Sequence, residues 1–173
     1  MRPKRFSDNY SSKIPAIRHA LIKSEERYNK KFDLIVDLDV TSPLRKVEDI
    51  INAYKFFTKK KADVLITGTK SRRNPYFNMV EIIKNRVRKV KIAKKKIYRR
   101  QDAPQTFDMN ASIYIWNRKT LINSTNEIRS LEKNTKSKTI FYEMPEDRSL
   151  DIDSELDFKL VEFLLKSRNK KII

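Results

Sequence analysis

The sequence predicts an α/β domain built on a mostly parallel sheet. Two observations carry that expectation. Buried-type strand patterns alternate with a helix between residues 32 and 68, at the spacing of a strand–helix–strand unit. A chain of 173 residues with 39% hydrophobic and 10% aromatic content is also long enough to bury one core, in one domain.

The elements follow in order. A first helix is predicted over Ser12–Tyr28, with Ile14, Ile17, Leu21 and Ile22 on one face and Pro15 in the first turn. Phe32–Leu38 reads as a buried strand. The loop Thr41-Ser42-Pro43-Leu44-Arg45 leads into a helix over Val47–Lys59, whose stripe is Val47, Ile50, Ile51, Tyr54 and Phe57. Asp63–Thr67 is the next strand and ends at Gly68. Ligands of such sheets lie beyond the carboxyl ends of the strands, which is where the loop starting at Asp39 falls. Met79–Ile83, Arg86–Ile92 and Lys96–Arg99 read as short, lysine-rich extended pieces of a meander or a projecting arm. Ser112–Trp116 and Thr139–Glu143 are further strands. A last helix is predicted over Glu155–Lys166, with Ser154 and Asp157 as its capping signature and Leu156, Leu160, Phe163 and Leu164 as its apolar face.

Composition excludes several chemistries. The chain has no cysteine and a single histidine, His19, which removes disulfides, thiolate metal sites and cysteine nucleophiles. No apolar run approaches the ~20 residues that span a bilayer, and the expectation is a cytoplasmic protein. Gly68 is the only glycine, so the residues contain no glycine-rich phosphate loop. The net charge of +18 fits a polyanionic partner. Ten of the seventeen residues Lys84–Arg100 are basic, but with Tyr98 as their only aromatic they lack the stacking pattern of a single-strand nucleic-acid surface.

Three constellations could carry chemistry. Asp151 and Asp153, two apart in an extended segment, point to the same side. They could share one Mg²⁺, which binds few carboxylates and fills its shell with water and phosphate oxygens. They could equally favour the positive end of the helix that follows. Asp39, Thr41 and Ser42 could bond a ligand or their own turn. Arg100 and Gln101 precede a proline turn, and an arginine fork suits a carboxylate or phosphate.

Taken in order, the motifs resemble those of the acylneuraminate cytidylyltransferases, which make CMP-sialic acid and its bacterial relatives. The matching runs are Arg2-Pro3, Ser7-Asp8, Ser11-Ser12, His19-Ala20-Leu21, Thr41–Arg45, Asn74–Glu81, Arg100-Gln101, Pro104-Gln105, Phe107, Asn110, Ser112–Ile115 and Asp151–Asp157. The resemblance covers nearly the whole chain. It implies a three-layer sheet domain like that of nucleotide-diphospho-sugar transferases, with a dimerisation arm over about residues 74–110. It also implies transfer of CMP from CTP to a nonulosonic sugar acid, with release of pyrophosphate. Residue by residue, it implies Asp151 and Asp153 as Mg²⁺ ligands and Arg2 and Ser12 near the nucleotide. Arg100, Gln101, Phe77, Asn78 and Tyr114 fall near the sugar acid, with Arg100 and Asp39 in catalytic roles.

Asp39 stands where sialic-acid enzymes carry Gln, and no lysine accompanies Phe77. Both departures resemble the branch that acts on legionaminic-type sugars. The family's opening strand and Gly/Arg/Lys-rich phosphate loop have no counterpart here. A truncated or frameshifted reading frame, a split gene with a separately encoded N-terminal segment, and a misplaced start codon would each account for that, and the chain alone is expected to be inactive. The competing expectation is a basic module, decayed from the family, that binds nucleic acid. An enzyme acting on an eight-carbon acid fits the Tyr76–Glu81 and Arg100–Tyr114 runs less well.

Overall fold

A computed structural model describes residues 3–8, 10–124 and 137–169. Arg2, expected near the nucleotide, lies outside them.

Helix α1 (Lys13–Tyr28) starts at Ser12, whose hydroxyl accepts a bond from the Ile14 N–H at 3.4 Å, and stops at Asn29 in the left-handed conformation. Strand β1 (Leu34–Leu38) follows. Helix α2 (Val47–Lys60) begins where the buried Asp49 carboxylate accepts from the Lys46 N–H at 2.9 Å, and it ends at Lys61, also left-handed. Strand β2 (Val64–Lys70) completes the expected unit and extends past Gly68. Strands β3 (Val80–Ile83) and β4 (Arg86–Lys89) form a hairpin turning through Lys84 and Asn85, both at positive φ. Strand β5 (Phe107–Met109), strand β6 (Ile113–Asn117), helix α3 (Arg118–Asn123), strand β7 (Thr139–Glu143) and helix α4 (Glu155–Asn169) follow.

The sheet is mixed, which corrects the expectation of a mostly parallel one. β1, β2 and β7 do run the same way, but β6 enters between β1 and β2 antiparallel to both. Among the described residues only β2 and β7 make a parallel pair. The burial pattern of β6 explains why it is central: Ile113, Tyr114, Ile115 and Trp116 are all buried. A strand buried on both faces reads as a continuous apolar run, and nothing in such a run reveals its direction. β5 and β6 together follow one edge of β2, bridged at the break by Asn110–Ser112, while β7 follows the other.

Helices cover both faces. Ile14 and Leu21 of α1 and Leu121 of α3 pack on Val64, Tyr114 and Trp116. Ala53 and Phe57 of α2 pack on Leu65, Ile113, Ile115 and Met144. Each fully buried Ile or Leu contributes roughly 1.5–3 kcal/mol. Glu25 of α1 is tied to Arg118 of α3 by bonds of 2.6 and 2.8 Å, and the arginine holds its carboxyl down to about 2 against the cost of burial.

Gly68 is required by closeness and not by φ. A Cβ there would collide with the Asp108 carbonyl oxygen and meet the Phe141 ring at 2.9 Å. The sole glycine therefore sits where β2 is pinched between its neighbours.

Three further expectations change. Lys96–Arg99 forms no strand, and β4 stops at Lys89. Phe107–Met109, inside the span expected for the arm, pairs with β2 in the main sheet. The expected apolar face of α4 is largely exposed: Leu156, Leu160 and Phe163 face water, and Val161 is the buried residue. The capping signature holds, with the Ser154 hydroxyl accepting from the Asp157 N–H at 3.3 Å.

Candidate functional site

Two polar regions form at the ends of the strands, and each has its own logic.

The first lies at the mouth of β1. Register pairs Asp37 with Tyr114, and Asp39 follows Asp37 on the same side. The Lys13 ammonium reaches both carboxylates, at 2.8 Å from Asp37 and 3.0 Å from Asp39. It stands 5.6 Å above the Tyr114 ring. Burial works against the charge on Lys13, but its bonds to Asp37 and Asp39 prevail and raise its pKa. Burial likewise opposes ionisation of Asp39, and Lys13 prevails again, holding that carboxyl below its ordinary range. The Tyr114 hydroxyl is pushed up, first by burial and then by Asp37, Asp151 and Asp39, with Lys13 opposing.

The loop after β1 is held from below. Arg45 donates to the Ser112 carbonyl at 2.6 Å and to the Asp39 carbonyl at 3.1 Å. The Ser42 hydroxyl donates to Asp151 Oδ1, the Ala111 N–H donates to Asp151 Oδ2 at 3.2 Å, and the Ile152 N–H donates to the Thr41 carbonyl at 2.9 Å. Three segments distant in sequence thus converge: 39–45, 110–114 and 151–153.

The second region is an open cavity of about 460 Å³ beyond the end of β2. Lys70, Ser71 and Asn74 form one wall, and Arg100, Gln101 and Thr106 the other. Arg100 is presented by the short 3₁₀ turn Arg100–Asp102 and donates to the Ser71 carbonyl at 3.2 Å. Lys70 stands 3.8 Å from Glu143, a solvent-exposed pair of little strength.

The expected site residues divide between these regions. Asp39, Tyr114 and Asp151 gather at the mouth. Arg100 and Gln101 line the cavity, with Phe77 and Asn78 on the adjoining turn, where the Asn78 amide oxygen accepts from the Asn74 N–H at 2.7 Å. Ser12 caps α1 beside Lys13. Asp153 is exposed, next along from Asp151. Tyr114, expected near the sugar acid with Arg100, is 6% exposed and backs Lys13 at the mouth, apart from the Arg100 cavity. Sequence reasoning missed Lys13, Asp37 and Lys70, and it marked Asn74 only as the start of the Asn74–Glu81 run, without a role. The i, i+2 logic applied to Asp151 and Asp153 would have flagged Asp37 with Asp39, but no local signal marks Lys13, which lies 24 residues away from Asp37.

Asp151 and Asp153 fit a magnesium ion by donor chemistry. Each Asp151 oxygen accepts one hydrogen bond and keeps a lone pair, and the Asp153 carboxylate accepts none among the described residues. No third acidic or histidine side chain joins them among the described residues, which leaves room for the water and phosphate oxygens that magnesium keeps.

The chain is 42% identical over 168 residues to post-translational flagellin modification protein B of Campylobacter coli, a match covering 97% of this chain and 68% of that protein. It is equally similar, with the same coverage, to CMP-N,N'-diacetyllegionaminic acid synthase of Campylobacter jejuni. N-acylneuraminate cytidylyltransferase of Streptococcus agalactiae is 26% identical over 159 residues, 91% of this chain and 35% of that protein. The chain belongs to the acylneuraminate cytidylyltransferase family.

The solved structures agree on the fold of this family member. The 2-C-methyl-D-erythritol 4-phosphate cytidylyltransferase of Francisella tularensis superposes with a TM-score of 0.60 at 16% identity, over 87% of this chain and 67% of that one. A CMP:2-keto-3-deoxy-manno-octonic acid synthetase in complex with CTP gives 0.57 at 12% identity, over 92% and 70%. At such identities the likeness is one of fold alone, that of a nucleotide-sugar-transferase-like sheet. No protein-family profile matches the chain. The cytidylyltransferase family member spans about two thirds of its first curated relatives. No helix among its described residues is long and apolar enough to cross a membrane.

Proposed function

We propose that this chain carries the sugar-side and metal-side parts of a cytidylyltransferase that transfers CMP from CTP to a nonulosonic sugar acid and releases pyrophosphate. The legionaminic-type acid named for the Campylobacter jejuni relative is the substrate of choice. The observation that carries the reading is the clasp of Asp151 by Ser42 and the Ala111 N–H at the mouth of β1. It holds a half-buried carboxylate near the end of β1, and ligands of such sheets lie beyond strand ends, which supports the reading.

The residues would divide the work. Asp151 and Asp153 would hold Mg²⁺, which when bound neutralises charge on the departing pyrophosphate. Arg100, with Gln101 beside it, would fix the sugar carboxylate, so that the anomeric hydroxyl points toward the α-phosphorus for in-line attack. Asp39 would accept that hydroxyl's proton; Lys13, 3.0 Å away, would orient its carboxylate, at some cost to its basicity.

The triphosphate grip is proposed to come from outside these residues, because Gly68 is fixed in packing and no other glycine is present. A place for such a segment exists. β1 has one partner, β6, among the described residues, and an apolar groove of about 350 Å³ runs between β1 and α1 past Ile17, Leu21, Phe32 and Val36. A homodimer is proposed through the β3–β4 hairpin, which pairs only with itself among the described residues and exposes Val80, Ile82 and Val87. A cytoplasmic location fits the charged substrates.

The test is sugar-dependent release of pyrophosphate from CTP. It is measured on the chain alone, and on the chain mixed with the part of the Campylobacter jejuni synthase that it does not match. Turnover in the mixture that requires N,N'-diacetyllegionaminic acid is expected. Turnover by the chain alone would overturn the external grip. Absence of turnover in a mixture shown to associate would overturn the cytidylyltransferase reading itself.

A further inference from the structure

We propose that Asn74 is a positioning residue that sets the width of the sugar-acid cavity by clasping its two walls together; this rests on the function proposed above. The walls come from segments thirty residues apart. Asn74 Nδ2 crosses between them, donating to the Pro104 carbonyl at 2.8 Å and reaching Thr106 Oγ1 at 3.4 Å. Its Oδ1 accepts from the Tyr76 N–H at 2.9 Å. Its own N–H donates to Asn78 Oδ1, and its carbonyl accepts from Phe77, Asn78 and Met79 at 3.0–3.1 Å. Every polar group of a residue that is 7% exposed is therefore in use.

The chemistry needs asparagine. The position requires a donor and an acceptor on one short side chain: the acceptor to cap its own turn, the donor to cross the gap. Aspartate has no donor when ionised. Pro75 biases Asn74 toward an extended backbone, and the Pro75 carbonyl accepts from the Lys91 N–H at 2.9 Å, so the same corner anchors the basic segment. The other cross-links are Ser71 N–H to the Thr106 carbonyl at 3.0 Å, the Thr106 hydroxyl to the Arg73 carbonyl at 3.4 Å and Arg100 to the Ser71 carbonyl at 3.2 Å. The Asn74 amide, on a residue that is itself buried, is the cross-link whose donor water reaches least. Releasing it lets the Pro104–Thr106 wall drift, and with it Arg100. A fork that must meet a carboxylate while neighbouring side chains meet the sugar hydroxyls does not tolerate that drift.

The experiment uses the full chain and N,N'-diacetyllegionaminic acid as probe. Affinity is read by calorimetry, and amide hydrogen exchange is read in the absence of sugar. Asn74→Ser keeps an oxygen to cap Tyr76 but is too short to reach Pro104. It is expected to weaken sugar binding about tenfold and to speed exchange at Ser71, while Tyr76 and the β2–β6 amides stay as they are and the thermal midpoint falls by only a few degrees. Arg100→Met, a contact control that gives up only the exposed bond to the Ser71 carbonyl, is expected to weaken binding while exchange at Ser71 speeds less than in Asn74→Ser. Unchanged affinity in Asn74→Ser would overturn the positioning role while leaving the cytidylyltransferase reading intact. A general loss of protection would overturn it too, by making Asn74 merely structural. No binding by the unaltered chain would overturn the sugar-acid reading, and this inference with it.

Discussion

The mouth of β1 and the cavity beyond β2 are both polar, yet they are built in opposite ways. At the mouth, charge is partly answered from within: Lys13 bonds Asp37 and Asp39, and Asp151 is gripped through both oxygens. In the cavity, cations are left facing solvent: Lys70 and Arg100 are exposed and have only weak internal partners. A cluster whose groups bond one another spends its interactions on holding geometry, while one with weakly partnered charges keeps them for a ligand of opposite charge. On the function proposed, the mouth would bear the reaction and the cavity would receive the sugar acid.

Substitutions on the two sides should therefore fail differently. The largest effect is expected from Asp151→Ala, which removes a proposed metal ligand and strands the Ala111 N–H. In the complemented enzyme turnover should fall by about a hundredfold or more, with saturation at higher magnesium. A magnesium titration of pyrophosphate release checks this, and an unchanged titration would place the metal elsewhere.

Next comes Arg100→Met on the cavity side. It should weaken binding of N,N'-diacetyllegionaminic acid about tenfold, as loss of a charge-assisted bond in water implies, and leave the melting midpoint where it was. If stability fell instead, the cavity would be structural in the same sense as the mouth and the contrast would fail.

The smallest effect is expected from Lys13→Met, and it should appear in stability and in its dependence on pH. Lys13 stays about a third exposed, so the loss is about 1 kcal/mol at neutral pH after allowance for screening. Asp39 has a depressed carboxyl in the folded protein. Its contribution is present above the ordinary carboxylate range and fades as pH falls through the lower folded value. Lys13 has a raised pKa, so its contribution is full below about 10.5 and fades as pH climbs through the folded value. The gap between Lys13→Met and the unaltered chain should then be widest near neutrality and close in acid. Urea midpoints from pH 3 to pH 9 measure it.

Much of the site was legible because its parts are local patterns. The i, i+2 pair at Asp151 and Asp153, the Thr41–Arg45 loop at a strand end and the arginine before a proline turn each occupy a few residues. The roles of Lys13 and Asn74 were not legible, because what matters about these residues is what they reach. Lys13 acts across 24 residues on Asp37, and Asn74 across 30 on Pro104. The solvation of α4 was misread for a related reason: a periodic stripe of Leu156, Leu160 and Phe163 reports a face, but only contacts reveal whether anything covers it.

What the amino-acid sequence determined by itself was the α/β class, the elements with well-marked periodicity or caps, the absence of a second glycine, and the ordered motifs of the cytidylyltransferase family. These depend on backbone propensity, spacing and composition, which act over a few residues or are simple counts. Tertiary structure alone decided the direction of β6 and the separation of the site into an acidic mouth and a cationic cavity. It also decided the burial of Tyr114 beneath Lys13 and the clasp at Asn74. Each of these depends on which distant segments pack together, and a hydrophobic run or a lone polar residue is compatible with many such pairings until the core selects one.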